Sequence, residues 1–198
     1  MSHMHVVSIT LEGKVARLEP LQLKHATDLY AAGQEARIWR YMSTNPGVSL
    51  AAMAQWIETA QQAQVAGHEL PFAIVSRETD KAVGSTRYLN IIPKDRGLEI
   101  GWTWLTPGVQ RTGINTECKY LLLRHAFETL GAIRVQLKTD SRNEQSQRAI
   151  ERIGGVKEGI LRNHVIMPDG YLRHSVYYSV IDSEWPSVKT RLEQMMQR

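Results

Sequence analysis

Residues 98–115 constrain this chain more than any other stretch. Leu98, Ile100, Trp102 and Trp104 alternate with Glu99, Gly101 and Thr103, the period of a strand with one buried face. Pro107-Gly108 ends that strand, and Gln110-Arg111-Thr112-Gly113-Ile114-Asn115 leads into a long helical stretch, Thr116 to Leu130, closed by Gly131. The first backbone N–H groups of a helix have no partner within it. With the helix dipole they make an anion site suited to phosphate oxygens. Gly113 lets a ligand approach the backbone closely, and Arg111 adds positive charge. The same loop also reads as a plain strand-to-helix turn.

The other segments arrange themselves around this block. Val15–Leu18 reads as a strand ending near Pro20, and Leu23–Ala32 and Leu50–Ala66 as helices, the second capped by Ser49. Pro71–Val75 and Lys81–Leu89 form a hairpin across Arg77-Glu78-Thr79-Asp80. Arg134–Thr139 alternates as a strand, Asn143–Ile153 is helical up to Gly154-Gly155, and Lys157–Arg162 and His174–Val180 close a second hairpin through Pro168-Asp169-Gly170. A short helix starts near Ser183. Three consecutive strands before a βαβ unit imply one α/β domain over residues 11–198, with a mixed, mostly antiparallel sheet and helices on both faces. Residues 1–10 are expected to be disordered or tag-derived, since Ser2-His3-Met4 resembles a vector scar.

Composition narrows the function. The 198 residues hold one cysteine, Cys118, so there is no internal disulfide, and Cys118 reads as core. No apolar run approaches a bilayer span and no secretory leader is evident, so a cytoplasmic protein without a membrane partner is expected. The net charge of +4 is spread among 20 acidic residues, an ordinary basic surface without the stripe of a nucleic-acid binder. His3 and His5 are spaced like ligands but lie in the terminus, so no metal is expected. Neither Gly-x-x-x-x-Gly-Lys-Ser/Thr nor, after the first strand, Gly-x-Gly-x-x-Gly occurs, which argues against a P-loop hydrolase and a dinucleotide fold.

The loop Gln110–Asn115 resembles the pyrophosphate loop, Gln/Arg-x-x-Gly-x-Gly/Ala, of the GCN5-related N-acetyltransferases (GNAT). Leu98–Leu105 is similar to the strand before that loop in the Rim-type branch that acetylates ribosomal-protein N-termini. Asp140-Ser141-Arg142-Asn143 through Gly154 looks like that branch's Asn-x-x-Ser helix. The likeness covers about Val15 to Val180 and departs from the loop pattern at Asn115, where Gly or Ala is usual.

The resemblance implies an enzyme that moves an acetyl group from acetyl-CoA to an amine acceptor, either a protein N-terminus or a small amine, by direct transfer. The backbone of Gln110, Arg111, Thr112, Gly113, Ile114 and Asn115 would hold the pyrophosphate. The strand edge at Ile100 and Trp102 would pair with pantetheine as an added strand would, Asn143 would bind pantetheine, and Ser146 would lie near the thiol. Glu99 is the first candidate base, directly or through water, and Ser146 a candidate acid; Tyr177 and Tyr178 are further ones. Glu99 also reads as a strand carboxylate paired with Lys or Arg, Asn143 as a helix cap, Ser146 as a solvated residue and Asn115 as a possible cap. His164, Arg173 and His174 are candidates to line an acceptor cleft, with acceptor choice residing in about 37–49 and 162–174. The alternative to an enzyme is a catalytically weak acyl-CoA-binding sensor, and a homodimer is admitted.

Overall fold

The computed structural model describes residues 4–197. Eight strands form one sheet in the order β1-β2-β3-β4-β5-β6-β8-β7. In chain order they are β1 (Leu11–Glu12), β2 (Ala16–Pro20), β3 (Leu70–Ser76), β4 (Ala82–Ile92), β5 (Gly97–Leu105), β6 (Arg134–Asp140), β7 (Val156–Ile166) and β8 (Leu172–Ile181). The helices are α1 (Ala26–Ala32), α2 (Leu50–Val65), α3 (Gly113–Arg124), α4 (Glu144–Arg152) and α5 (Trp185–Met196). Every neighbouring pair is antiparallel except β5 and β6, which are parallel and joined through α3, as a parallel pair requires. The mixed sheet and the two hairpins follow the sequence reading.

Two cores lie on opposite faces. Leu98, Ile100 and Leu105 of β5 pack with Ile114, Cys118, Leu121 and Leu122 of α3, Ile150 of α4 and Leu192 of α5. On the other face Ala73, Val75 and Trp104 pack beneath Leu29 of α1 and Met53, Ile57 and Ala60 of α2. Ser49 caps α2 as expected, its Oγ accepting the Ala52 amide at 3.0 Å. The long helix differs from expectation: it starts three residues earlier, at Gly113, and passes into one π turn over 125–129.

The short strand β1 escaped the sequence reading because two residues carry no periodicity. The turn that joins it to β2 is held from outside: the buried carboxylate of Glu117 accepts the amides of Lys14, Val15 and Ala16 at 2.7–2.8 Å. Before it, residues 4–10 have no regular secondary structure, yet Met4 is buried in the core and Val6 and Ile9 pack against it. His3 lies outside the described residues, and His5 is exposed. No group of three His, Cys, Asp or Glu among the described residues is placed to hold a metal, and no helix there is long and apolar enough to cross a membrane.

Candidate functional site

The alternation through β5 does not hold to its end. Arg87 of β4 faces Gly101 and Ser85 faces Trp104, so Trp102 and Thr103 together oppose Thr86. This is a β-bulge, and Trp102 sits in the left-handed region at φ 51°, uncommon for a bulky residue. The extra residue reverses the faces beyond it. Leu98 and Ile100 remain in the α3 core, but Trp104 crosses to the α1/α2 core, where its ring lies 4.8 Å from that of Trp39. Trp102 is half-buried beside Arg87. Glu99 and Gly101 share a face as expected, whereas Thr103 turns to α3 and accepts a hydrogen bond from Lys119 Nζ at 2.7 Å.

The bulge coincides with a parting of the sheet. β5 and β6 pair only at Gly97–Arg134, Leu98–Val135 and Glu99–Gln136. From Ile100 onward the β6-facing edge of β5 has no strand partner among the described residues, while β6 continues against β8 to Asp140. Unpaired strand edges take up an extended ligand through main-chain hydrogen bonds. The edge at Ile100 and Trp102 is therefore open where the resemblance implied.

The loop after β5 leaves backbone donors without partners. Thr112 Oγ1 donates to the Val109 carbonyl at 2.7 Å and accepts the Ile114 amide at 3.3 Å, so the cap of α3 is Thr112 rather than Asn115. The amides of Arg111, Thr112 and Gly113 meet no acceptor among the described residues, and they stand at the positive end of a 12-residue helix. Gln110 Nε2 is used internally, donating to the Leu105 carbonyl at 3.0 Å. Arg111 is exposed at φ 63°. At Gly113 an added Cβ would come no nearer than 3.9 Å to Val15; the protein alone leaves room for a side chain, and only a ligand would make the glycine necessary. Thus the residues fit an anionic, extended cofactor without a metal ligand set.

Glu99 lies where the strands part and is 1% exposed. Its Oε2 accepts from Asn90 Nδ2 and Gln136 Nε2, each at 2.8 Å, and Lys138 Nζ stands 3.3 Å away. It is thus a buried, paired carboxylate that borders the opening. On α4, Asn143 Oδ1 accepts the Ser146 amide at 3.1 Å, which makes Asn143 the helix cap. Its amino group is left to donate, and Ser146 is half-buried on the first turn. Tyr178 faces away from the opening: it is buried in the α3 core and donates to Glu151 at 3.0 Å, and desolvation pushes it up to about 12.

Beyond Glu99 the sheet face is polar. Gln136 and Lys138 of β6 continue to Ser175 and Tyr177 of β8, which lie directly across from Asp140 and Lys138. Tyr177 Oη lies 3.2 Å from His164 Nε2, and His164 Nδ1 lies 3.0 Å from Ser175 Oγ. Burial, helped by Lys138 and Arg173, lowers His164 below the ordinary histidine value, so it is neutral at pH 7. His174 Nδ1 accepts the Asn163 amide at 2.9 Å across a bulge. Ile160 through His164 and His174 line an open concavity of about 1030 Å³. Gln136 and Lys138 were legible as alternate residues of a strand, though not as neighbours of Glu99. Asn90 gave no signal at all.

Comparisons with known proteins agree with this geometry. Residues 16–156 match the family described as acetyltransferase (GNAT) domain. A GCN5-related N-acetyltransferase from Brucella melitensis superposes with a TM-score of 0.91 at 29% identity, covering 96% of this chain and 86% of that one. RimJ of Mycobacterium smegmatis, solved with CoA-disulfide, shares the fold at a TM-score of 0.80 and 20% identity, over 94% and 91% of the two chains. The ribosomal-protein-serine acetyltransferase of Escherichia coli is 29% identical over 105 residues, 53% of this chain and 58% of that protein. With its bulged strand, parted sheet and amide-rich helix start, the chain belongs to the GNAT acetyltransferase family and is an acyl-CoA-dependent N-acetyltransferase.

Proposed function

We propose that the protein transfers the acetyl group of acetyl-CoA to the N-terminal amine of a polypeptide. The observation that carries this reading is that the parting of β5 and β6 leads onto a half-exposed polar sheet face rather than into a closed cavity. An extended chain fits such a face, and a small amine has no enclosing walls there. Similarity to a protein named ribosomal-protein-serine acetyltransferase supports the same acceptor class.

Acetyl-CoA, when bound, supplies the thioester. The amides of Arg111, Thr112 and Gly113 would take its pyrophosphate, the edge at Ile100 and Trp102 its pantetheine arm, and the amino group of Asn143 a pantetheine oxygen. The arriving amine is mostly protonated at neutral pH, with a peptide N-terminus near a pKa of about 8. Glu99 would attract it and take its proton, directly or through a water, and Lys138, Asn90 and Gln136 fix the carboxylate for that task. Ser146 would protonate the departing sulfur.

The test is an acceptor screen that follows free-thiol release with peptides, polyamines, amino acids and antibiotics. Acetylation of peptides above the other classes is expected. Binding of CoA without thioester consumption by any acceptor would instead favour the sensor reading. Thermal unfolding supplies the prior check: at 100 times its Kd, a ligand that binds only the native state adds about 2.7 kcal/mol, so an unmoved Tm in millimolar CoA would reject the cofactor site. A homodimer would use the edge strand β7, where Ile160, Leu161 and Ile166 are exposed; size measurement in solution decides it.

A further inference from the structure

The open face holds one set of charges that cancel and one that does not. Lys138 is paired with Glu99 at 3.3 Å, Arg142 with Asp140 at 3.0 Å, and Arg134 with Glu158. Arg173, on the same face of β8 two residues before Ser175, has no carboxylate within ion-pair distance among the described residues. Its Nη1 donates to the Tyr41 carbonyl at 3.3 Å, and its buried Nε meets no acceptor. Burial lowers its basicity, opposed by Asp140 and Glu99 from beyond ion-pair distance.

The position of Arg173 is as telling as its charge. Tyr41 belongs to the loop between α1 and α2, and its Oη donates to the Arg142 carbonyl at 3.2 Å. Arg142 in turn stacks on Tyr171, 3.3 Å from the ring centroid. The loop is thereby tied to both the start of α4 and the β7–β8 hairpin, and Arg173 is held under that tie, on the sheet face it shares with Ser175 and Tyr177. A guanidinium with free donors in a fixed fork is the group best matched to a carboxylate. The neighbouring concavity along β7 is lined by Arg162, also without a carboxylate partner among the described residues, and by no acid.

We infer that Arg173 selects acceptors carrying an acidic side chain several residues behind the reacting amine. This rests on the polypeptide reading above. Glu99 lies across from Gln136 and Gln136 from Ser179, six residues along β8 from Arg173. With neighbouring strands about 4.8 Å apart and extended chain rising about 3.3 Å per residue, the two backbones stand roughly 22 Å apart. Once both side chains reach inward, the acid belongs at about the fourth or fifth position of the peptide. A polyamine, which would place cations against Arg173, is disfavoured.

The experiment uses the full chain with acetyl-CoA and paired peptides that differ only by Asp or Asn at positions four and five. The wild type is expected to favour the Asp peptides by about tenfold or more in kcat/KM, the size of a charge-assisted contact, with the preference shrinking as salt is raised. In Arg173→Gln that ratio collapses towards one, and in Arg173→Lys part of it returns. A ratio between two peptides within one variant is insensitive to partial misfolding, which scales both rates. Equal rates in the wild type, or a ratio that survives in Arg173→Gln, would overturn the inference and leave the polypeptide reading standing. Failure to acetylate any peptide would reject both.

Discussion

One face of the sheet is finished in two ways. Over β3, β4 and the end of β5, Ala73, Val75, Ala82 and Trp104 are sealed beneath α1 and α2, and stability there comes from apolar area removed from water. Over β6 and β8 the same face carries half-buried Gln136, Lys138 and Tyr177 around a buried Ser175, and hydrogen bonds among side chains satisfy it. The border between the two is where β5 bulges and leaves β6. The sealed half holds the strands in place, and the open half can receive a substrate because its polar groups need no cover.

The sharpest way to break this comparison is to remove what each half is said to rely on, the apolar ring in one and a side-chain hydrogen bond in the other. Trp104→Ala should cost about 3–5 kcal/mol, as for other buried aromatics. Tyr177→Phe removes only a partly solvated hydrogen bond and should cost about 0.5–1.5 kcal/mol. Chemical denaturation measures both, and similar losses would mean that the open half is structural after all.

At the border, Glu99→Gln keeps the shape and removes the charge. General-base assistance is typically worth about 10²–10⁴-fold, so kcat/KM for the amine should fall at least tenfold with CoA affinity nearly retained. The deficit should shrink at high pH, where the amine arrives deprotonated. Wild-type turnover at neutral pH would return Glu99 to a purely structural role.

The loop gives a smaller, ordered effect. Because the protein has space for a side chain at Gly113, Gly113→Val should fold normally and weaken CoA binding by obstructing the backbone amides. Arg111→Ala should weaken it less, since an exposed charge contributes little while those amides remain. Calorimetric titration in the reverse order would contradict this assignment.

The smallest effect contrasts two lysines. Lys138 sits in the open half beside a carboxylate; Lys119 is buried under Thr103 without one, and burial lowers it to about 8. The unfolded chain keeps its lysine proton to roughly pH 10.4, so between these values the unfolded state binds more protons and stability from this group rises with pH. Below about 8 the cost of the buried charge is present in full. Cys118 acts oppositely: desolvation pushes it up to about 12, so stability from the thiol falls above the ordinary cysteine range. The clean window is therefore about pH 8–9. The wild type should gain stability there relative to Lys119→Met, and a constant difference between the two would show that Lys119 does not titrate in the fold.

Much of this was readable from the chain because it is local. The turn after Leu105, the cap at Ser49, the glycine loop and the Asn143 helix start each depend on a handful of consecutive residues. The strand alternation was readable only as far as Gly101, since one inserted residue at Trp102 moves every later side chain to the other face. Asn143 was legible as a cap, and the cap is what the structure has. Asn115, open to a capping reading, is not the cap because Thr112, three residues earlier, has the hydroxyl at the position where a cap accepts.

By itself the sequence determined the order of elements, the mixed sheet, the donor-rich helix start and the family. These follow from periodicity, capping and turn chemistry, which act within a few residues. Tertiary structure alone decided where β5 leaves β6, which side chains hold Glu99, and that Arg173 lies beneath Tyr41. Those contacts join residues 9 to 132 positions apart, and no local pattern encodes a pairing that exists only once the sheet has formed.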